Sequence, residues 1–487
     1  MDLHVFFLPF LAPGHMIPML DIAALFAGRG VRTTVVTTPT NAAAVPHHPN
    51  LHVLLLPPFN SRAAGLPDGV ETAAGLRDTQ ISPAFIAATD EFEPHFLRLL
   101  LSHRPDCIVA DVHFTWAVDH AATLGIPLLS FYATGFFSIA VAAAISHFKD
   151  HESVTGDDVP FTIDFLPHKI YLTRSQIPGH LITPTDLVRR MMAAQPKIYG
   201  MVMNTFLELE PEYAASMTQF CKAWSVGPVC RKSPTTKDRD LSQRGEAASK
   251  DAIDCLQWLD ERETDSVIYI CFGSMGRFTT TQLQEIARGL DSAGHPFVWV
   301  VKKDIHISAA LPSGFKERVR RENRGVIING WAPQVSILNH RAVGGFVTHC
   351  GWNSTTEAVN AGVAMVTWPL HAEQFFNERF LVDVAKIGVP VGVKAWSDKE
   401  EERELVGKEK VEEAVRRLMG EDTEAAERRS RARVLGETAK KAVEKGGSSY
   451  NELTKLLEEM VEIKTRWGKV GKEENVIGEV NKSQEVN

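Results

Sequence analysis

Along the first 230 residues, short unbroken apolar runs alternate with longer amphipathic stretches. The runs are 5–8, 31–37, 51–56, 106–110, 127–131 and 200–204. Apolar side chains at every position, rather than every second one, suit parallel strands covered on both faces. Between them, 17–27, 84–101 and 115–124 read as helices, and Ile17, Leu20, Ala24 and Ala27 fall on one helical face. A second series places strands at 267–272, 297–301, 325–328, 346–348, 364–367 and 389–393, with helices at 279–293 and 374–386. The stretch between the two series holds Pro, Ser, Thr, Gly and many charges, and it reads as a linker over 231–252. Two β/α series joined in this way predict an α/β chain of two Rossmann-like, doubly wound domains, 1–230 and 253–445, facing across a cleft. From 398 to 445 charges of both signs are dense, as on solvated amphipathic helices. Gly446-Gly447-Ser448 interrupts that pattern and opens a last helix over 446–463, leaving 464–487 as a flexible tail.

Composition narrows this picture without changing it. At 487 residues, 44% hydrophobic and 23% charged, the chain can fill two cores. The net charge of −8 argues against a nucleic-acid partner but leaves room for one anionic ligand in a local pocket. Cys107, Cys221, Cys230, Cys255, Cys271 and Cys350 show no CxxC spacing, so no zinc cluster is expected, and several lie inside apolar runs as reduced thiols do. Asp2 and His4 replace a basic signal-peptide start, and the longest apolar helical stretch, 136–145, is about half a membrane span. A cytoplasmic monomer without a membrane span is the expectation.

Ligands of doubly wound sheets sit beyond the carboxyl ends of the strands, so segments just after strands carry most weight. No GxGxxG follows the first strand, where the chain reads Pro9-Phe10-Leu11-Ala12-Pro13-Gly14-His15, and GxxxxGK[ST], GxSxG and HExxH are absent. The informative stretch is WAPQVSILNHRAVGGFVTHCGWNSTTEAVNAGVAMVTWPLHAEQ, Trp331 to Gln374. Within it a strand runs into the turn His349-Cys350-Gly351-Trp352 and then a helix opened by the N-cap pair Asn353-Ser354. A strand–turn–helix of this kind aims backbone N–H groups and the positive end of a helix dipole at one spot. His349, Asn353 and Ser354 add donors there, and Ser274 follows another strand, so the pattern suits a diphosphate. Taken alone, Asn353-Ser354 is equally well a plain helix cap. Trp331 is a platform for a planar base or a core residue. Glu357, one turn past Asn353, suits a ribose diol, and Glu373-Gln374 suits a hydroxyl-rich sugar.

Together these parts resemble the signature box of plant UDP-sugar-dependent glycosyltransferases of secondary metabolism, matched from the first Trp to the final Gln. The N-terminal APGHMIPML and the FGSM segment resemble the same family, so the likeness runs to about Ile463. It implies a GT-B fold, with the acceptor on the N-terminal domain, the sugar nucleotide on the C-terminal one, and the last helix crossing back onto the first domain. By that resemblance Trp331 stacks on uracil, the Ala332 backbone hydrogen-bonds it, and Gln334 and Glu357 hold the ribose. His349, Asn353, Ser354 and Ser274 hold the diphosphate, while Trp352, Glu373 and Gln374 meet the hexose and Thr134 lies near it. A final Gln is associated with glucose, so UDP-glucose is the expected donor. Thr356 departs from the family, where many members carry Leu.

His15 sits at a helix start after the first strand, where a general base for an acceptor hydroxyl would stand. Asp111, at the end of the strand 106–110, reaches the same sheet edge, and the resemblance pairs the two as a dyad. The expected reaction is a single inverting, metal-independent displacement giving a β-glucoside. The expected acceptor is a small hydrophobic, hydroxylated plant metabolite, a flavonoid or other phenol first, with a triterpenoid or steroid saponin or a hormone as the alternative. Phe10, Met16, Phe85, Phe114, Phe136, Phe137 and His371 are candidates to line its pocket, though the phenylalanines suit a core equally well. The competing class is a catalytically silent sugar-nucleotide sensor, against which His15 and Asp111 both argue.

Overall fold

The computed structural model describes residues 2–58, 61–62, 64–76, 82–229 and 250–484. The first half forms a parallel sheet from β1 (His4–Leu8), β2 (Arg32–Thr37), β3 (Leu51–Leu55), β4 (Cys107–Asp111) and β5 (Leu128–Tyr132). A small antiparallel hairpin, β6 (Phe161–Ile163) with β7 (Ile170–Leu172), interrupts the alternation before β8 (Gly200–Met203) and β9 (Ala223–Ser225) complete the sheet. Its order is β3-β2-β1-β4-β5-β8-β9. The second half forms a parallel sheet of β10 (Val267–Cys271), β11 (Phe297–Val301), β12 (Gly325–Asn329), β13 (Val343–Thr348), β14 (Met365–Thr367) and β15 (Gly388–Pro390). Its order is β12-β11-β10-β13-β14-β15, so each sheet winds outward in both directions from its first strand. All five residues of β4 are buried, as a strand covered by helices on both faces requires.

Several helices end where the residues dictate. Gly125, at φ 68°, closes Thr115–Leu124, and Gly294, at φ 79°, closes Thr280–Ala293, the left-handed positions that favour glycine. The Thr279 hydroxyl accepts from Gln282 N–H at the start of the latter. The helix expected over 84–101 is two, Pro83–Asp90 and Glu93–His103. Pro94 supplies the break, since it has no N–H to offer the preceding turn and its ring crowds that backbone. The helix expected over 374–386 stops at Arg379 and continues as a π-helical turn, Phe380–Val384. The short strands β6, β7 and β9 are additional to those expected from the sequence.

Most of the expected linker and Cys230 lie outside the described residues. Its end does not: a helix, Lys250–Asp260, already begins before 252. The five cysteines among the described residues are free thiols, with Cys107, Cys255 and Cys350 buried. The last helix spans Ser448–Gln484 and therefore continues through most of the segment read as a flexible tail. Leu453, Leu456, Leu457 and Met460 bury its inner face against Val5, Phe7, Met19 and Phe26 of the first half. Tyr450 also lies beneath the Arg29 guanidinium, 3.5 Å from ring centroid to Cζ.

The two halves interlock around the helix Phe136–Phe148. Phe137 packs on Phe380 at 5.4 Å between ring centroids. Trp352 Nε1–H donates to the Asn204 carbonyl at 2.8 Å, and Ser138 Oγ donates to Asn377 Oδ1 at 2.7 Å, both buried. Gly135 has no room for a side chain, because a Cβ there would fall 2.6 Å from the Trp352 ring and from Glu210 Oε1. No helix among the described residues is long and apolar enough to cross a membrane.

Candidate active site

Strand register explains how residues 96 apart in sequence meet. β1 and β4 are parallel neighbours with Leu8 opposite Ala110, so Asp111 stands one step past the end of β1, beside the loop that carries His15. His15 lies in the first turn of the helix Pro13–Gly28, and its Nδ1 meets Asp111 Oδ2 at 2.8 Å. The carboxylate is fully buried, while the imidazole keeps about a fifth of its surface open to the cleft. The other oxygen, Oδ1, accepts from His113 N–H at 3.1 Å and from His113 Nδ1 at 2.7 Å. Burial works against the His15 imidazolium, but the Asp111 charge, its hydrogen bond and the more distant Glu373 outweigh it, so the pKa is raised above 6.5. Burial likewise opposes the Asp111 carboxylate, and the two imidazoles more than offset it, holding the acid well below its usual range. The ligating atoms of His15, Asp111 and His113 lie within 4.8 Å of one another, and here they are engaged with each other.

The second half is built in the same manner. β10 and β13 pair with Cys271 opposite Thr348, which brings Phe272-Gly273-Ser274 beside His349-Cys350-Gly351. The His349 ring lies between two glycines: a Cβ on Gly273 would sit 2.5 Å from it, and one on Gly351 2.4 Å. Only glycine leaves space for the imidazole at both places. Its Nδ1 is buried without a partner, and burial together with the nearby Lys302 holds the pKa at about 4, so the ring is neutral. The helix Trp352–Ala361 opens here with Gly351 at its N-cap. Asn353 and Ser354 are therefore in the first turn and do not cap it, a correction to the expected N-cap pair. Asn353 Nδ2 donates to the Gly14 carbonyl at 2.6 Å across the cleft, and its Oδ1 is buried and unpaired. Gln334 Nε2 donates to both Ser354 Oγ (3.0 Å) and Glu357 Oε2 (2.7 Å), forming one polar wall with Trp331 half-buried nearby.

At the far end of the wall, Gln374 Oε1 accepts from the backbone N–H of Leu370 and His371, at 2.9 and 3.0 Å. Its amide thereby braces the loop that carries Glu373, whose carboxylate accepts from Asn377 Nδ2 at 3.1 Å. Burial drives His371 down to about 3, with its Nε2 unpartnered. Thr134 also presents a buried hydroxyl with no partner; Gly135, not Thr134, caps the helix that follows. Buried polar atoms normally find partners within a protein. Here orphans from Thr134, His349, Asn353 and His371 face one cleft, which calls for a polar ligand.

That cleft measures about 1830 Å³ and runs between the halves. Ser274, Trp331, Ala332, Gln334, His349, Trp352, Asn353, Ser354, Glu357, Glu373 and Gln374 line it, as do His15, Met16, Thr134 and His371. The aromatic residues proposed from sequence for the acceptor do not. Phe10, Phe85 and Phe114 are fully buried and pack edge-to-face or tilted at 5.7 Å beneath the His15 loop. Phe136 and Phe137 are buried in the core that joins the halves. Rings with no polar atom gain more from this core than from a wet cleft. The apolar lining of the cleft includes instead Ile139, Ala142, Leu181, Leu187, Val188 and Met191.

Residues 242–407 match the model of the UDP-glucuronosyl and UDP-glucosyl transferase family. UDP-glucose flavonoid 3-O-glucosyltransferase 7 of Fragaria ananassa is 44% identical over 477 residues, 94% of this chain and 96% of that protein. The anthocyanin 3′-O-β-glucosyltransferase of Gentiana triflora is 42% identical, over 94% and 98% of the two chains. The chain belongs to this glycosyltransferase family. The crystal structure of Glycyrrhiza uralensis UGT73P12, complexed with glycyrrhetinic acid 3-O-monoglucuronide, superposes with a TM-score of 0.89 at 38% identity, covering 98% of this chain and all of that one. The fold of this glycosyltransferase is GT-B. Beyond the apolar lining, Lys302 and His113 of its cleft also escaped the sequence reading. Lys302 follows β11 and donates to the Ser274 carbonyl, and His113 lies two residues past Asp111. Both come just after strands, so the rule that singled out Ser274 would have reached them.

Proposed function

We propose that this glycosyltransferase moves glucose from UDP-glucose to the hydroxyl of a flavonoid or other phenol, with inversion. The observation that carries this reading is the His15–Asp111 pair, on a cleft lined by both polar and apolar residues. With Nδ1 held by Asp111, Nε2 is the nitrogen left to accept the phenol proton. The freed oxygen attacks the anomeric carbon as the bond to the β-phosphate oxygen breaks, and UDP departs with that electron pair. The proton stays on His15 as an imidazolium beside Asp111 until solvent takes it. Trp331 stacks on the uracil, with the Ala332 backbone beside it; Gln334 and Glu357 hold the ribose. The diphosphate meets His349, Ser274, Asn353, Ser354 and the helix N-terminus, with Lys302 adding a full positive charge nearby. These groups meet the leaving-group charge without a divalent cation, and a chelator should leave the rate unchanged. Trp352, Glu373, Gln374 and Thr134 surround the hexose, and Met16 and His371 border the acceptor.

A second acceptor class has its own support. The Glycyrrhiza structure holds a triterpenoid glucuronide, and a cleft of this size has room for one beside a sugar nucleotide. The test is UDP release and product mass with UDP-glucose and a panel of flavonols, anthocyanidins, coumarins and triterpenoids. Turnover of a phenol supports the first reading, and turnover of triterpenoids alone replaces it with the second. UDP-glucose binding without turnover on any acceptor would overturn the enzymatic reading.

A further inference from the structure

The Asp111 carboxylate serves two imidazoles, and the proposed mechanism uses only one. His113 Nδ1 lies 2.7 Å from Oδ1, while His15 Nδ1 lies 2.8 Å from Oδ2. A carboxylate accepts only, so both contacts require protons on the two Nδ1 atoms. His113 backbone N–H adds a second donor to Oδ1 at 3.1 Å. The His113 ring is also clamped from its face, stacked on Phe10 with centroids 4.4 Å apart and planes at 22°. It meets the His15 ring edge-on at 4.9 Å.

We infer that His113 is a positioning residue for the transfer: its Nδ1–H holds Oδ1 so that Oδ2 faces His15, and it draws on the charge that His15 would otherwise have to itself. A carboxylate rotates about its Cβ–Cγ bond; the His113 backbone N–H already marks the Oδ1 side, and the shorter contact from Nδ1 tightens that hold in a site buried from water. Each hydrogen bond to Asp111 also lowers the basicity of the carboxylate that remains for the other donor. His113 therefore limits how strongly Asp111 favours the His15 imidazolium. The titratable and charged groups facing His15 are Asp111, His113 and Glu373; those facing His113 are Asp111, His15 and His180. Of these only His113 shares the carboxylate with His15.

Two substitutions separate the donor from the ring. His113→Asn places an amide N–H near the position of Nδ1 and removes the ring. His113→Phe keeps a flat ring against Phe10 and removes the donor. The measurement is the His15 pKa by NMR titration in each variant, with the acid limb of kcat/KM alongside it. The expected result is that Phe raises the His15 pKa by more than half a unit, shifts the limb by the same amount and lowers kcat more than it raises KM, whereas Asn stays near wild type. No shift with Phe, an equal shift with both, or a shift with Asn alone would overturn the inference. UDP-glucose affinity within twofold of wild type shows that each variant is folded, and the Asn titration stands alone should Phe not be. The inference rests on His15 as the base. His15→Ala separates the two failures: retained turnover there removes the base, whereas an unmoved His15 pKa in His113→Phe removes only the role of His113.

Discussion

Asp111→Asn changes one atom and leaves the side-chain shape, yet the surroundings decide what that atom does. Oδ1 accepts from the backbone N–H of His113, a donor that cannot be reversed. The asparagine must therefore keep its carbonyl oxygen on that side and turn its NH₂ toward His15 Nδ1. A donor facing Nδ1 obliges His15 to carry its proton on Nε2, the nitrogen that should receive the phenol proton. The base is then present in the wrong tautomer, as in the serine-protease triad, where the matching change costs about 10⁴ in kcat. The lost charge acts in the same direction, since a unit charge about 4 Å away is worth roughly 4 kcal/mol at an effective dielectric near 20. Together these predict a fall in kcat/KM of about 10³–10⁴, or ~4–5.5 kcal/mol of transition-state stabilisation. The pH profile gives an independent check. In the wild type the His15 pKa is raised above 6.5, so activity climbs as pH rises through a limb above that value. Without the Asp111 charge, burial is left as the leading influence and the limb should move below 6.5. The assay is UDP release with a phenolic acceptor from pH 5 to 9, with UDP-glucose affinity measured by calorimetry to confirm an intact donor half. A loss below tenfold, or a limb that stays above 6.5 with UDP-glucose binding intact, would refute the reasoning.

Binding of UDP should take up a proton below about pH 6, because His349 starts at about 4 and an incoming diphosphate favours its charged form. Calorimetry in two buffers of different ionisation enthalpy reads this directly; affinity should tighten as pH falls from 6 to 5, and His349→Asn should abolish both effects. Gly135→Ala should cut turnover by more than tenfold, since its methyl group would meet the Trp352 ring and Glu210 and pry the halves apart; kinetics alongside a melting curve distinguish a misfit interface from an unfolded one. Ser138→Ala leaves Asn377 Oδ1 buried with its donor gone, which should cost about 1–3 kcal/mol of stability in a denaturant titration.

Much of this architecture is legible in the sequence because parallel strands announce themselves as unbroken apolar runs. The run containing Ile108, Val109 and Ala110, and that containing Phe297, Val298 and Trp299, were read within a residue or so of their ends. The donor wall was legible for another reason: its residues are contiguous, carried by one segment from Trp331 to Gln374 that folds as strand, turn and helix. What stayed hidden depends on register and layering. The pairing of His15 with Asp111 was reached only through the family resemblance, because it needs β1 beside β4, which no local pattern states. Phe10 and Phe85 have the composition of a pocket wall, and only their packing on one another shows them to be core.

The charge at the proposed diphosphate site shows what the third dimension adds. Read along the chain, His349 is one hydrogen-bond donor among several for a phosphate. In the folded protein it lies between Gly273 and Gly351 with Lys302 close by, and a neutral ring is the cheaper state. The full positive charge comes from Lys302, just past the end of β11, whose ammonium already donates to the Ser274 carbonyl. If UDP binds here as proposed, its charge would favour the imidazolium, and titrating His349 with and without UDP reads that change. An empty site built this way avoids burying two cations side by side, which would repel one another in the absence of UDP. A net charge of −8 is compatible with the proposed diphosphate binding, because the attraction would be local, from one lysine, one helix end and the His349 ring.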